Sequence, residues 1–434
     1  MATSLRFIAA ASAIGSVIEW YDLFVYGSLV VVLSKVFFPT PSPSLSILLS
    51  LAAFVAGAAV RPLGGAIFGR IGDRTGRKRA FLLTVIVMGF GAVMTGLLPT
   101  YAAVGVAAPV LLFALRMVQG LALGGEFGGA TVYLAEHAPQ SSRGFWTSLV
   151  QASGTLGLLL SSGAVLLTTT LVGETAFVQW GWRVPFLFSL VLVAVAVAMR
   201  LKLTETPLFS ELVANKKTSK APVKESFADR GNLRALAVAL VVVAGSSVIW
   251  HTAQFYSSVF MQATLKLSLS DSSLVTLSAL ALGSPFFVFF GRLSDRIGRK
   301  RTILFGNLLG ALFLIPIYIA MSLSAHPPAL PVLIGLSFTQ VLFSAMVYGP
   351  LGAYLVESFP TRLRYTSFAI AYGIGSGDIG DGTLLIAPAI AFATGNIFAG
   401  LAWSVAVPLL TLSVGAAFMK ETRGTELKDQ VRAT

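Results

Sequence analysis

The stretch "GRIGDRTGRKR" (69–79) returns as "GRLSDRIGRKR" (291–301), 222 positions later, and each copy carries five Lys/Arg around one Asp. A second pair follows at almost the same offset. "YLAEHAPQSSR" (133–143) matches "YLVESFPTRLR" (354–364), aligning Tyr133 with Tyr354, Glu136 with Glu357, Pro139 with Pro360 and Arg143 with Arg364. Two independent motifs at nearly one spacing mark an internal duplication, and what separates the motifs is apolar.

The chain has 434 residues, 56% hydrophobic and only 11% charged, with a mean hydropathy of +0.83. Soluble domains carry about 25% charged residues, and these apolar blocks are long enough to cross a bilayer, roughly 20 residues each. The blocks predict twelve spans near 8–33, 45–69, 80–98, 104–135, 144–170, 183–202, 234–262, 271–291, 302–322, 330–357, 365–390 and 397–419. The first reads as a retained span, since no small-residue cleavage site follows a short core. With no cysteine, disulfides and thiolate metal sites are excluded, and His137, His251 and His326 are too scattered for a metal centre.

The net charge of +13 comes from cations concentrated in a few loops: the two repeated motifs, and the stretch from Arg200 to Arg234 with eight Lys/Arg. The alternate loops hold almost none, only Lys35 and Lys266 near them. This is the positive-inside pattern. It puts both termini in the cytoplasm and explains the basic charge as a topology signal, with no nucleic-acid partner expected. The polar loop 204–233 divides a first six-helix bundle (1–203) from a second (234–434). Paired six-span halves are a transporter architecture, with substrate bound near the midplane between them.

These residues carry a resemblance. G-R-x-x-D-R-x-G-R-K, between spans 2 and 3 and again between 8 and 9, resembles the loop signature of the major facilitator superfamily, and "RMVQG" (116–120) resembles its R-x-x-Q-G motif. "IEWYD" (18–22), "VRPLGG" (60–65), "GGEFGG" (124–129), "AEHAP" (135–139) and "WGWRVPF" (180–186) resemble the metabolite:H⁺ symporter family within it. The resemblance implies an all-α membrane protein of the major facilitator fold and proton-coupled uptake in a cell inner membrane. It also implies a substrate of the kind members carry: citrate, 2-oxoglutarate, shikimate or proline/betaine. The protein is expected to be a monomer without cofactor, the proton being the coupling ion.

Seven charges fall well inside the expected spans: Glu19, Asp22, Arg61, Arg116, Glu126, Asp378 and Asp381. Each costs about 2.5–3.5 kcal/mol at a helix centre, so they must pair, face water or be neutralised by a proton. Glu19, Asp22 and Tyr26 form one helical stripe, and Gln119 and Glu126 another. Spans 1, 2 and 4 are thus expected to bring three carboxylates to two guanidiniums. Arg61 and Arg116 stay charged and suit a substrate carboxylate. An arriving anion would take an Arg from its internal acid, and the released acid would take a proton. Asp22 is the favoured carrier, with Glu19 as partner and Glu126 as a further acid; an ion pair of Glu19 and Asp22 with Arg61 that only holds helices together is the alternative.

Gln151, Gln254, Tyr256 and Tyr348 are candidate neutral contacts to substrate, and the role of His251 is open. In "GIGSGDIGDG" (373–382), Asp378 and Asp381 share a helical face amid glycines that weaken the helix. A second proton site, a contact for a cationic substrate group, and a position nearer the periplasm all fit. The loop residues Asp73, Arg74, Arg77, Asp295, Arg296 and Arg299 read as gating ion pairs, with Glu136 and Glu357 as partners for the Arg clusters. Symport of a small organic anion such as a di- or tricarboxylate or related metabolite leads, ahead of a zwitterionic osmolyte such as proline or betaine. A drug/proton antiporter leaves the two Arg harder to explain. An enzyme is least supported, because no nucleophile–His–acid set stands out.

Overall fold

The computed structural model describes residues 5–75, 77–125, 127–201, 222–228, 230–361 and 363–427, with the side chains of 11, 69, 70, 72–75, 77–81 and 127 excepted. Glu126 and most of the loop 204–233 therefore lie outside the described residues, as do the side chains of Asp73, Arg74 and Arg77. Among the described residues, ten helices are long and apolar enough to cross a membrane. They are α1 (Leu5–Ser28), α2 (Pro43–Phe68), α4 (Ala107–His137), α5 (Gln140–Val172), α6 (Arg183–Leu201), α7 (Arg230–Thr264), α8 (Leu269–Ile297), α9 (Arg299–Leu323), α10 (Leu330–Ser358) and α12 (Leu401–Phe418). Between them run α3 (Arg77–Leu97), with a shorter apolar core at Leu82–Leu97, and α11 (364–394), whose polar middle interrupts its apolar ends. Twelve helices in this order make an all-α membrane bundle.

Local sequence explains where several spans begin. Pro43 opens α2 at a position that needs no amide donor, and the Ser42 hydroxyl accepts from the Leu45 amide at 3.4 Å. Ser268 caps α8 likewise, accepting from the Asp271 amide at 2.9 Å. The packing is inverted relative to a soluble protein. Large apolar side chains such as Leu63, Leu171 and Leu323 point outward, while Arg, Glu, Asp, Gln and His are buried inside. That distribution fits a hydrocarbon surround and no aqueous one.

Glycines let two helices meet at backbone distance. A Cβ built on Gly57 of α2 would lie 2.7 Å from the Arg116 carbonyl of α4, and one on Gly120 of α4 would run into the Gly57 carbonyl. Small residues allow this close crossing in membranes, and it sets Arg61 and Arg116 on neighbouring helices about one turn apart, Arg116 beside Gly57 and Arg61 beside Gly124. Contacts between the first six helices and the last six run through α5 against α8, α2 against α11 and α1 against α7. At the end carrying the basic loops, a Cβ on Gly144 of α5 would lie 2.5 Å from the Gly291 carbonyl of α8.

Gly120→Ala is expected to destabilise the protein by about 1–3 kcal/mol through overpacking. Gly335→Ala, where a Cβ meets nothing within 4 Å, is expected to be neutral. Thermal unfolding in detergent checks the contrast; equal midpoints for the two variants would contradict the close crossing.

Candidate functional site

Two helices that enter the centre of the bundle leave α-helical geometry there. α7 is π-helical over His251–Tyr256, and α11 over Gly373–Asp381. π turns widen a helix and often mark functional positions. Glycines also shape this part of α11. A Cβ on Gly377 would lie 3.2 Å from Arg61 Cδ, and one on Gly380 would lie 3.1 Å from His251 Nδ1. The glycine-rich run thus lets α2 and α7 close on α11.

The result is a buried cluster across the two sets of helices. Arg61 Nη2 lies 2.6 Å from Asp381 Oδ2, and His251 Nε2 contacts Asp381 Oδ1. His251 Nδ1 donates to the Ser247 carbonyl at 2.7 Å. Arg61, His251 and Asp381 are all buried. Arg116 lies within electrostatic reach of Arg61 and Asp381. Its Nη1 donates to Gln119 Oε1 at 2.8 Å, and its guanidinium sits 4.5 Å from the Tyr26 ring and 4.9 Å from the Phe54 ring. Arg116 Nε and Nη2 have no hydrogen-bond partner, and the residue is 1% exposed.

His251 also faces a narrow slit, shared with Trp20, Gln151, Gly154, Trp250, Tyr348, Tyr372 and Ser376. Its cavity volume is about 10 Å³, no more than a single water requires, so the slit is closed in this state. Aromatic faces form one wall. Trp20 and Phe24 stack at 5.2 Å, Phe24 and Trp250 at 5.3 Å, and Trp250 lies 6.0 Å from Tyr348. Gln151 contributes an amide whose oxygen and nitrogen are both buried and unpartnered. Tyr348 exchanges hydroxyl hydrogen bonds with Ser247 at 2.7 Å and Ser376 at 3.3 Å.

Several sequence expectations need correction. Glu19 and Asp22 do not converge on Arg61 and Arg116. Glu19 pairs with Arg200 of α6, and Asp22 lies beside Ser189 of the same helix. Their shared face turns toward α6, where the Tyr21 hydroxyl also donates to the Pro185 carbonyl at 2.7 Å. Arg200, read as a loop cation, is a buried member of the bundle. Tyr26 leaves the stripe and donates to the Ser50 carbonyl of α2 at 2.9 Å. Asp22 is buried, its Oδ1 has no hydrogen-bond partner, and no cation forms an ion pair with it among the described residues. Asp378 and Asp381 differ in burial, Asp381 being buried and Asp378 half-buried, while both stay within electrostatic reach of Arg61 and of each other. Gln254 stands near the slit, its Oε1 accepting from the Thr155 hydroxyl at 2.9 Å. Tyr256 lies away from it, stacked on Tyr318 at 5.6 Å.

At the basic end a second buried network joins the two sets. Asp295 accepts from the Gly144 and Phe145 amides at 2.8 and 2.9 Å, capping the first turn of α5, and pairs with Arg299 at 2.7 Å. Glu357 pairs with Arg143 at 2.9 Å and Arg299 at 3.3 Å. Glu136 meets Arg364 of α11 at 3.3 Å. Arg296 is exposed and takes no part through its side chain in these pairs. Asp295→Asn keeps the shape and removes the charge. It is expected to raise several-fold the labelling of a cysteine introduced at Ser148, which Gly291 covers in a chain with no native cysteine. Unchanged labelling by an impermeant thiol reagent would count against Asp295 as a closure element.

Comparison with known proteins agrees with this architecture. The family model described as Major Facilitator Superfamily matches residues 12–380 and 252–430. The shikimate transporter of Escherichia coli (strain K12) is 36% identical over 419 residues, 93% of this chain and 91% of the relative. The proline/betaine transporter of the same organism is 32% identical over 436 residues, 98% of this chain and 85% of the relative. Among solved structures, the proton:xylose symporter XylE bound to 6-bromo-6-deoxy-D-glucose has a TM-score of 0.80 at 18% identity, covering 99% of this chain and 98% of that one. At that identity the likeness concerns the fold.

Proposed function

This chain belongs to the major facilitator superfamily, and from that premise we propose that it is a proton-coupled symporter of a small organic monocarboxylate, working by alternating access. One observation carries the substrate class: Arg116 is a fully buried guanidinium with two unpartnered nitrogens and, among the described residues, no carboxylate in ion-pair contact. A dry cation of that kind is costly unless an anion completes it, and a carboxylate is its natural bidentate partner. Gln151 and Tyr348, which line the closed slit beside His251, are hydrogen-bonding groups that an opened site would offer to hydroxyl or carbonyl substituents of a metabolite. The 36% identical relative is named for shikimate, a monocarboxylate of this description.

The buried acids divide by surroundings. Glu19, against Arg200, reads as a structural pair. Asp22, without a cation, fits a carboxyl that keeps its proton throughout the cycle. Asp381 differs, because its charge state depends on what else occupies Arg61. The matched ion-pair network at the basic end supports a gate that closes during transport, with that end in the cytoplasm as the charge pattern implies.

A second reading has an observation of its own. The Trp20, Phe24, Trp250 and Tyr348 faces could receive a quaternary ammonium, and relatives at 32% identity are named for proline and betaine. Charge separates the readings. A monoanion entering with one proton moves no net charge, so a gradient of one pH unit supports about tenfold accumulation whatever the membrane potential. A zwitterion entering with a proton moves one charge and gains about 2.3 kcal/mol per 100 mV.

In proteoliposomes, labelled shikimate is expected to accumulate under an inward proton gradient without response to potential. Accumulation of glycine betaine alone, enhanced by an inside-negative potential, would favour the second reading. Arg116→Gln is expected to raise the half-saturating shikimate concentration by about 30-fold or more, corresponding to a loss of about 2 kcal/mol or greater for one partner of a buried charge contact. An unchanged value would remove Arg116 from the substrate site.

A further inference from the structure

On the symport reading above, we propose that Asp381 and His251 jointly hold the transported proton, and that this proton decides whether Arg61 is engaged by Asp381 or offered to the substrate carboxylate. The first ground is hydrogen-bond chemistry. The Ser247 carbonyl can only accept, so His251 Nδ1, 2.7 Å away, carries a hydrogen. Its other nitrogen, Nε2, is in contact with Asp381 Oδ1. A neutral imidazole with hydrogen on Nδ1 presents a lone pair at Nε2, and a carboxylate oxygen presents another. Two acceptors do not meet in this way unless one proton lies between them. The pair is therefore a proton-binding site by its geometry, whether the proton is drawn as imidazolium or as carboxylic acid.

The second ground is what lies on the far side of Asp381. Oδ2 faces Arg61 Nη2 at 2.6 Å, and Arg61, 4% exposed, keeps an unpartnered Nε. The groups facing Asp381 can be named from each helix packed on it. They are Arg61 from α2, His251 from α7, Arg116 from α4, Tyr348 from α10, and Asp378 on α11 itself. Among these described residues, two guanidiniums balance two carboxylates, so the cluster is neutral without the shared proton and singly positive with it. Only the protonated cluster has charge to spare for an anion.

The cycle balances without a covalent step. With the proton on the pair, a substrate carboxylate accepts from Arg61. Asp381 Oδ2 withdraws, and the shared proton settles on Asp381, leaving His251 neutral. After the bundle opens on the other side, the proton departs to water. Asp381 then returns to Arg61 as a carboxylate and displaces the substrate. Because Arg61 belongs to the first six helices and Asp381 and His251 to the last six, the switch spans the boundary that alternating access moves. Linkage requires the effect to be mutual: the proton tightens anion binding, and the anion tightens proton binding by the same factor.

The experiment uses the full chain in proteoliposomes with labelled shikimate, or glycine betaine if the wild type accumulates that solute. Wild type is expected to exchange the solute at equal pH on both sides and to concentrate it about tenfold per unit of an imposed pH gradient. Asp381→Asn is expected to keep exchange while the concentration ratio falls to about one. Accumulation of wild-type size in D381N overturns the assignment while leaving the symport reading intact; wild-type vesicles that concentrate neither solute refute the symport reading and the assignment with it. Should D381N lose exchange as well, His251→Gln decides. Solute affinity measured against pH is expected to move its midpoint by at least about one pH unit relative to wild type. An unmoved midpoint overturns the shared-proton site.

Discussion

A guanidinium buried among membrane-spanning helices cannot be left alone, and it does not shed its charge. The arrangement of this bundle follows from where Arg61, Arg116 and Arg200 find their counterparts. Arg200 meets Glu19 within the first six helices and ties α1 to α6. Arg61 meets Asp381 across the central boundary. Arg116 leans on Tyr26 and Phe54 and keeps donors unspent. One cation is satisfied locally, one by the opposite half, and one only in part. That gradation separates scaffold from switch and switch from binding group.

The backbone is adapted to the same constraint. Close crossing of α2 and α4 through Gly57 and Gly120 brings two guanidiniums within electrostatic reach of each other, which is tolerable only because an acid lies nearby. The π-helical turns of α7 and α11 supply that acid by rotating Asp381 and His251 toward each other. At the basic end the logic repeats with closed accounts: Asp295, Glu357 and Glu136 each find cations or amide donors there. Such paired networks hold a shape, whereas a cluster that is neutral without its proton can change partners.

The architecture was legible in the chain because hydrophobic length and loop charge are local quantities. A run of apolar residues needs no neighbour to declare itself a span, and the repeated motifs state the duplication outright. The list of buried charges was legible too, since a charge inside such a run is conspicuous wherever it points. Partners were harder. Arg200 stands at the end of its helix, next to a basic stretch, and nothing in its neighbourhood distinguishes a loop cation from one that turns inward. Tyr26 fits the stripe of Glu19 and Asp22 by spacing, yet its hydroxyl bonds to α2.

Sequence by itself determined that this is a twelve-span, duplicated membrane bundle with acids and guanidiniums in its interior, because transfer of each side chain into hydrocarbon has a cost that does not depend on the fold. The tertiary structure alone decided that Asp381 and not Glu19 or Asp22 answers Arg61. Pairing requires two side chains to meet within about 3 Å. That distance is set by helix rotation, glycine-permitted approach and two π turns, none of which is encoded in the spacing of residues along a single span.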